Sequence, residues 1–126
     1  MRGTLNDQSL IYLQIAQMLE DDILRGVYQE EEQVPSTNEL AQCYHINPAT
    51  AAKGINLLVN EGILYKKRGI GMFVALGAAQ AVKEKRRAAF YQGYVKPLVK
   101  EGASLGLSQE DLLTMVAQAI EEGEQG

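Results

Sequence analysis

The chain has 126 residues, 46% hydrophobic and 22% charged, which suits one ordinary soluble domain or a small domain with an appendage. No apolar run approaches the roughly 18–20 residues that span a bilayer, Met1 to Asp7 lacks the apolar core of a secretory signal, and a single cysteine rules out an internal disulfide, so a cytoplasmic protein is expected. A net charge of −4 argues against a general nucleic-acid coater, yet residues 46–75 hold Lys53, Lys66, Lys67 and Arg68 against Glu61 alone, while acids gather in Glu20-Asp21-Asp22 and Glu30-Glu31-Glu32. A modest cationic edge of this kind suits a protein that gains affinity by presenting two copies to one site.

Ser9 to Arg25 reads as the first helix. Ile11, Ile15, Leu19 and Ile23 recur every four residues, with Met18 and Leu24 beside them. Asp7 or Ser9 would cap it, Gly26 would end it, and Gln8, Gln14, Gln17 and Glu20 would face water. Its role is scaffold. Val27 to Val34, with its three consecutive glutamates, reads as a solvated turn.

Ser36, with Glu39 three residues on, makes a capping box for a helix from about Thr37 to Tyr44 that buries Leu40, Ala41 and Cys43. Cys43 is expected as a small core residue and His45 as a structural turn residue, since one His and one Cys cannot build a metal site. Asn47 as N-cap and Pro48 at the first helical position then start a helix running to about Asn60. Its buried face is Ala51, Ile55, Leu58 and Val59, and Gly62 ends it. Only Tyr44 to Asn47 separate the two helices, the turn length of a helix-turn-helix.

Ile63-Leu64-Tyr65 and Met72-Phe73-Val74 are short β-forming runs around Lys66-Lys67-Arg68-Gly69-Ile70-Gly71, a basic hairpin tip with two glycines. The fold class is therefore mainly α with a small β-hairpin: a winged helix-turn-helix over residues 1–76, its second helix aimed at a DNA major groove and its hairpin at the flanking backbone.

From residue 77 the chain is helical. Ala78 to Tyr91 reads as a long helix with Val82, Ala89, Phe90 and Tyr94 on one side, interrupted or kinked at Pro97, with Gly102 and Gly106 bracketing a break. Ser108 starts a last helix whose face is Leu112, Leu113, Met115, Val116, Ala119 and Ile120, and whose tail from Glu121 frays. Two such helices cannot bury these faces against each other. A second copy of the chain would cover them as a homodimer, the other solution being to fold back on the winged domain.

These residues resemble the GntR family of bacterial transcription regulators over residues 9–76. The marks are Val34-Pro35-Ser36 with Glu39-Leu40, Asn47-Pro48-x-Thr50, Glu61-Gly62-Ile63-Leu64-Tyr65, and Arg68-Gly69-x-Gly71-x-Phe73-Val74. The Asn-Pro turn and the short C-terminal part resemble the YtrA subfamily, which implies two C-terminal dimerisation helices and, often, a repressor. The resemblance places DNA contacts at Asn38, Asn47, Pro48, Ala49, Thr50, Ala52, Lys53, Arg68, Gly69 and Gly71. Arginines common in relatives are replaced here by Asn38, Pro48 and Ala52, which implies more weight on Lys53, Arg68, backbone amides and the helix N-terminus. Thr50 and Asn47 would read base edges or anchor phosphate, and Ala49 would touch a thymine methyl.

The expected partners are a double-stranded operator with inverted half-sites and a second copy of the chain, with no membrane partner. The other reading is a winged-helix protein-docking module without DNA binding, which would have no use for a basic tip. No enzyme, cofactor or metal is expected. There is no phosphate loop, ligand cluster or nucleophile with a base, and Ser36 and Ser108 are explained as caps. An effector, if any, would sit near Phe90, Tyr91 and Tyr94 or be a partner protein.

Overall fold

A computed structural model of the chain describes residues 8–125. The order is α1 (Gln8–Leu24), α2 (Thr37–Tyr44), α3 (Pro48–Asn60), β1 (Leu64–Lys67), β2 (Gly71–Val74), α4 (Ala78–Phe90), a π-helical segment (Tyr91–Val95), α5 (Lys96–Ser104) and α6 (Gln109–Gln125). This is the mainly helical winged helix-turn-helix with a two-stranded hairpin that the sequence predicts. Two compact units divide it, Met1–Glu84 and Lys85–Gly126.

In the first unit the stripe of α1 meets the apolar faces of α2 and α3. Ile15, Leu19, Ile23, Leu40, Ile55, Leu58, Ile63, Leu64 and Val74 form one buried cluster. Each such aliphatic contributes about 1.5–3 kcal/mol when taken out of water, so this cluster carries the domain. Ala78 and Val82, 1% and 0% exposed, are buried in the same cluster. The first unit thus extends through Glu84, beyond the boundary expected at residue 76.

Three local expectations are corrected here. Glu20 is 4% exposed rather than on the wet side, because α1 buries two adjacent rows, with Ala16 and Glu20 beside Ile15, Leu19 and Ile23. Cys43 is exposed; one turn of α2 buries only Leu40 and Ala41, and Cys43 falls outside their narrow row. Ser9 lies inside α1 and is not its cap; Asp7 and the side chain of Gln8 lie outside the described residues.

The Val27 to Val34 segment departs most from expectation. The Glu31 N–H donates to the Val74 carbonyl (2.7 Å), the Val74 N–H to the Glu32 carbonyl (2.9 Å) and the Val34 N–H to the Met72 carbonyl (2.9 Å), with Gln33 bridging antiparallel to Phe73. The supposed free turn lies along the outer edge of β2, so β2 is paired on both sides. Polar composition concealed this, because three glutamates carry no strand signal although their backbone pairs as well as any other.

In the second unit the α-helix is interrupted just before Pro97, as the sequence predicts: α4 ends at Phe90 and a π-helical segment intervenes, in which the Lys96 N–H reaches back to the Tyr91 carbonyl, and Pro97, which has no N–H to give, follows it at the start of α5. Gly102 lies in the last turn of α5, which ends at Ser104, so the break falls between Gly102 and Gly106 (φ 75°) as the sequence predicts. Gly102 is buried, and a Cβ there would come within 2.8 Å of Leu112 Cδ2. Ser108 and Asp111 cap α6 reciprocally, and α6 runs on to Gln125 instead of fraying from Glu121; Gly126 lies outside the described residues.

Candidate nucleic-acid interface

Two capped helices and a hairpin make the site. Ser36 Oγ accepts from the Glu39 N–H (3.0 Å) while Glu39 Oε1 accepts from the Ser36 N–H (2.8 Å), setting the start of α2. The turn closes on His45 in the left-handed region (φ 54°), with the Ile46 N–H donating to the Ala41 carbonyl (3.0 Å). Asn47 Oδ1 accepts from the Ala49 N–H (2.8 Å), Pro48 opens α3, and no acid occupies its first turn. The positive end of the α3 dipole is thus left unneutralised by its own sequence.

Asn38 and Pro48 come together at one shallow depression with Ala41, Gln42 and Ile46, between α2 and the start of α3. Asn47, Pro48, Ala49 and Lys53 are exposed and Ala52 is half-buried. Thr50 is different. At 5% exposure it packs inside, with little to offer a base edge. A second expectation also changes. The first-turn amides of α3 are already engaged, Ala49 by Asn47 Oδ1 and Thr50 and Ala51 by the Asn47 carbonyl (2.9 and 3.1 Å), so they are not standing phosphate donors. With its oxygen spent on the cap, Asn47 keeps only its amide N–H donors for DNA, which favours acceptor atoms over the bidentate reading of adenine.

Lys53 lies one turn further on. Its Nζ sits 4.4 Å from the centroid of the Tyr12 ring, contributed by α1. Gly54 makes this closeness possible: a Cβ there would stand 2.8 Å from the Tyr12 carbonyl oxygen and 3.1 Å from Ile15 Cγ2. Only glycine lets α3 settle this near α1, a requirement that apolar periodicity does not reveal.

The wing pairs Leu64 with Val74, Tyr65 with Phe73, Lys66 with Met72 and Lys67 with Gly71. Leu64 and Val74 point into the core. Tyr65 and Lys67, two apart on β1, share the opposite face with Phe73. The Tyr65 and Phe73 rings lie 6.1 Å apart and Lys67 Nζ sits 4.2 Å from the Phe73 centroid. The expected basic tip therefore divides: Lys66 and Arg68 are exposed, whereas Lys67 is half-buried over the rings. The Tyr65 hydroxyl donates to Glu31 Oε1 (2.9 Å), and desolvation, with that bond and the charge of Glu31 adding to it, holds the phenol above its ordinary range.

Gln33 was not anticipated as part of the site. Its Nε2 donates to the Ile70 carbonyl (3.0 Å) at the wing turn, and a Cβ on Gly71 (φ +147°) would meet that nitrogen at 2.5 Å. Gly71 thus serves the approach of Gln33 as well as the bend. The tip Arg68-Gly69-Ile70 is consequently tied to the segment that leads into the Ser36 cap. A glutamine in a polar loop gives no sequence signal for this.

In the second unit Phe90, Tyr94, Leu98, Leu113 and Val116 line an apolar groove, with the Phe90 and Tyr94 rings 5.4 Å apart. Tyr91, expected beside them, does not line it. Leu113 and Val116 are 61% and 39% exposed, as are other apolar residues of α6, so the faces of these helices are not consumed within the unit.

The family pattern described as "Bacterial regulatory proteins, gntR family" matches residues 11–74. Over 65 residues the chain is 43% identical to a protein of Escherichia coli (strain K12) named "Probable fructoselysine utilization operon transcriptional repressor", covering 52% of this chain but 27% of that protein; the chain spans about a quarter of such longer relatives. Similarity to the HTH-type transcriptional repressor YtrA of Bacillus subtilis (strain 168) runs through both chains, at 29% identity over 81% of this one and 78% of that one. A solved structure of a GntR-family protein from Bacteroides thetaiotaomicron superposes with a TM-score of 0.78 at 35% identity, covering 90% of this chain and 98% of that one.

Proposed function

This chain belongs to the gntR family of bacterial regulatory proteins, and on that premise we propose that it is a cytoplasmic, sequence-specific DNA-binding transcriptional repressor that works as a homodimer on an inverted-repeat operator. The observation that carries the reading is the start of α3: capped by Asn47, opened by Pro48, free of acid, and followed by the exposed Lys53. Such a helix end enters a major groove readily. The wing supplies Lys66 and Arg68 for the backbone beside it, with Gly69 (φ +78°) in the turn. Asn38, with Pro48 and Ala52, borders the reading end, and Ala49 presents a methyl suited to thymine.

The similarity to YtrA, which extends past the winged region, supports a YtrA-like layout in which α4 to α6 form the dimer contact. The exposed apolar residues of α6 and the groove beside them are what a second copy would bury. A twofold dimer presents two α3 helices to half-sites about one DNA turn apart, near 10 base pairs.

The test is a gel-shift titration over a salt series, on the DNA upstream of the protein's own coding sequence and on fragments the chain selects from random DNA. Lys53→Ala and Arg68→Ala should each flatten the log–log salt slope by about 0.9, one phosphate's worth. Unchanged slopes would remove them from the contact list, and the absence of a retarded band at every salt concentration would favour the protein-docking reading.

A further inference from the structure

Lysine is a poor choice for a reading position. Its flexible four-carbon stem loses freedom on binding, and its ammonium lacks the pre-organised fork that lets arginine pair in one geometry with less loss per hydrogen bond. In this chain the problem has a structural answer. Lys53 Nζ lies 4.4 Å from the Tyr12 ring centroid, close enough for a cation–π contact. The ring comes from a different helix, and Gly54, next to Lys53, lets the Tyr12 backbone approach α3. The half-buried Tyr12 is thus anchored where the lysine begins.

We propose that Tyr12 is a positioning residue for DNA recognition: its ring holds the exposed Lys53 ammonium in one orientation before the duplex arrives. The inference rests on the DNA-binding reading and deepens it. A lysine ordered in advance loses less freedom on binding, and the ammonium N–H donors that do not face the ring stay available to a phosphate or to guanine O6 and N7. Tyr12 thereby compensates in part for the absence of a guanidinium at Asn38, Pro48 and Ala52.

The competing possibility makes the opposite prediction. If the ring held the lysine away from DNA, removing it would tighten binding. The experiment is fluorescence anisotropy with the full chain and a labelled duplex selected by it from random DNA, read across a potassium chloride series. Tyr12→Leu should weaken binding about two- to fivefold, the size of the ordering cost of one long side chain at an interface, and Tyr12→Phe should bind as the parent does. In a Lys53→Ala background, Tyr12→Leu should change nothing further. Equal or tighter binding by Tyr12→Leu overturns the proposal, as does a penalty that persists undiminished without Lys53.

Should Tyr12→Leu unfold, the parent itself decides. The Lys53 ε-methylene protons should be shifted upfield by the ring in both free and DNA-bound protein, and loss of that shift on binding overturns the proposal. If Lys53→Ala has no effect while Arg68→Ala weakens binding, the Tyr12 inference fails and the DNA reading stands. If the parent selects no duplex at all, the DNA reading itself fails.

Discussion

Gly54 shows how one missing methyl group decides a helix position. Helix propensity alone favours alanine there by up to about 1 kcal/mol. The close approach to the Tyr12 carbonyl opposes it, because backbone cannot move aside as a side-chain tip can. Gly54→Ala is therefore expected to destabilise the protein by about 1–3 kcal/mol, as overpacking does, seen as a lower denaturant midpoint; a higher midpoint would show the α1–α3 approach to be looser. Gln33 makes the corresponding case for the wing. Gln33→Ala removes the bond to Ile70 and leaves the backbone pairing along β2 in place. The expected outcome is a small change in melting temperature with a several-fold loss of DNA affinity, and with Arg68→Ala costing less in that background than in the parent. Full additivity of the two would mean that Gln33 does not place the tip.

At the scale of elements, capping is where structure and chemistry meet most plainly. Asp111 Oδ2 accepts from the Ser108 N–H (2.9 Å) and Ser108 Oγ from the Asp111 N–H (3.0 Å). The backbone bond first, and the side-chain bond after it, hold the Asp111 carboxyl below its ordinary range. A folded pKa below the unfolded one means the cap's contribution is complete above the ordinary carboxylate value and is lost as pH falls through the folded one. Carboxyl NMR should therefore place the Asp111 midpoint below 3.8, and amide-exchange protection at the start of α6 should fall with acid in the parent but not in Asp111→Asn. An ordinary midpoint would remove the cap from the account.

The same cap was legible beforehand, as were the Ser36–Glu39 box, the Asn47-Pro48 start and the ends of α3, because each is written in adjacent residues. What stayed hidden depends on neighbours distant in sequence: the pairing of residues 31–34 along β2, the burial of Glu20 and Thr50, the exposure of Cys43, and the ring beneath Lys53. Of the candidate residues, Asn38 and Pro48 share one depression, Ala49 and Lys53 are exposed on α3, and Arg68 and Gly69 lie at the wing turn, placements that adjacent residues dictate. The first-turn amides are not open to phosphate, because a good N-cap satisfies the very donors that a phosphate would use.

For the whole molecule the question is what the second unit does with its apolar surface. Phe90, Tyr94, Leu113, Met115 and Ile120 are each more than half exposed. Monomeric proteins rarely leave contiguous patches of this kind in water. A charge at Leu113 should be tolerated by the isolated unit, since the residue is 61% exposed, but not by a dimer that buries it. Leu113→Glu is expected to keep its helical circular dichroism while sedimenting as a monomer at micromolar concentration, with operator affinity reduced at least tenfold; a variant that remains dimeric would place the contact elsewhere. The modest cationic surface of one winged unit gains most from such doubling, since two weak, linked contacts reinforce each other through effective concentration.

The most direct test of the account is a hydroxyl-radical footprint of the protein on a DNA fragment it selects for itself. Two equal protected patches related by a dyad, their centres about one helical turn apart, are the predicted result; a single unpaired patch, or uniform protection without sequence preference, would contradict it.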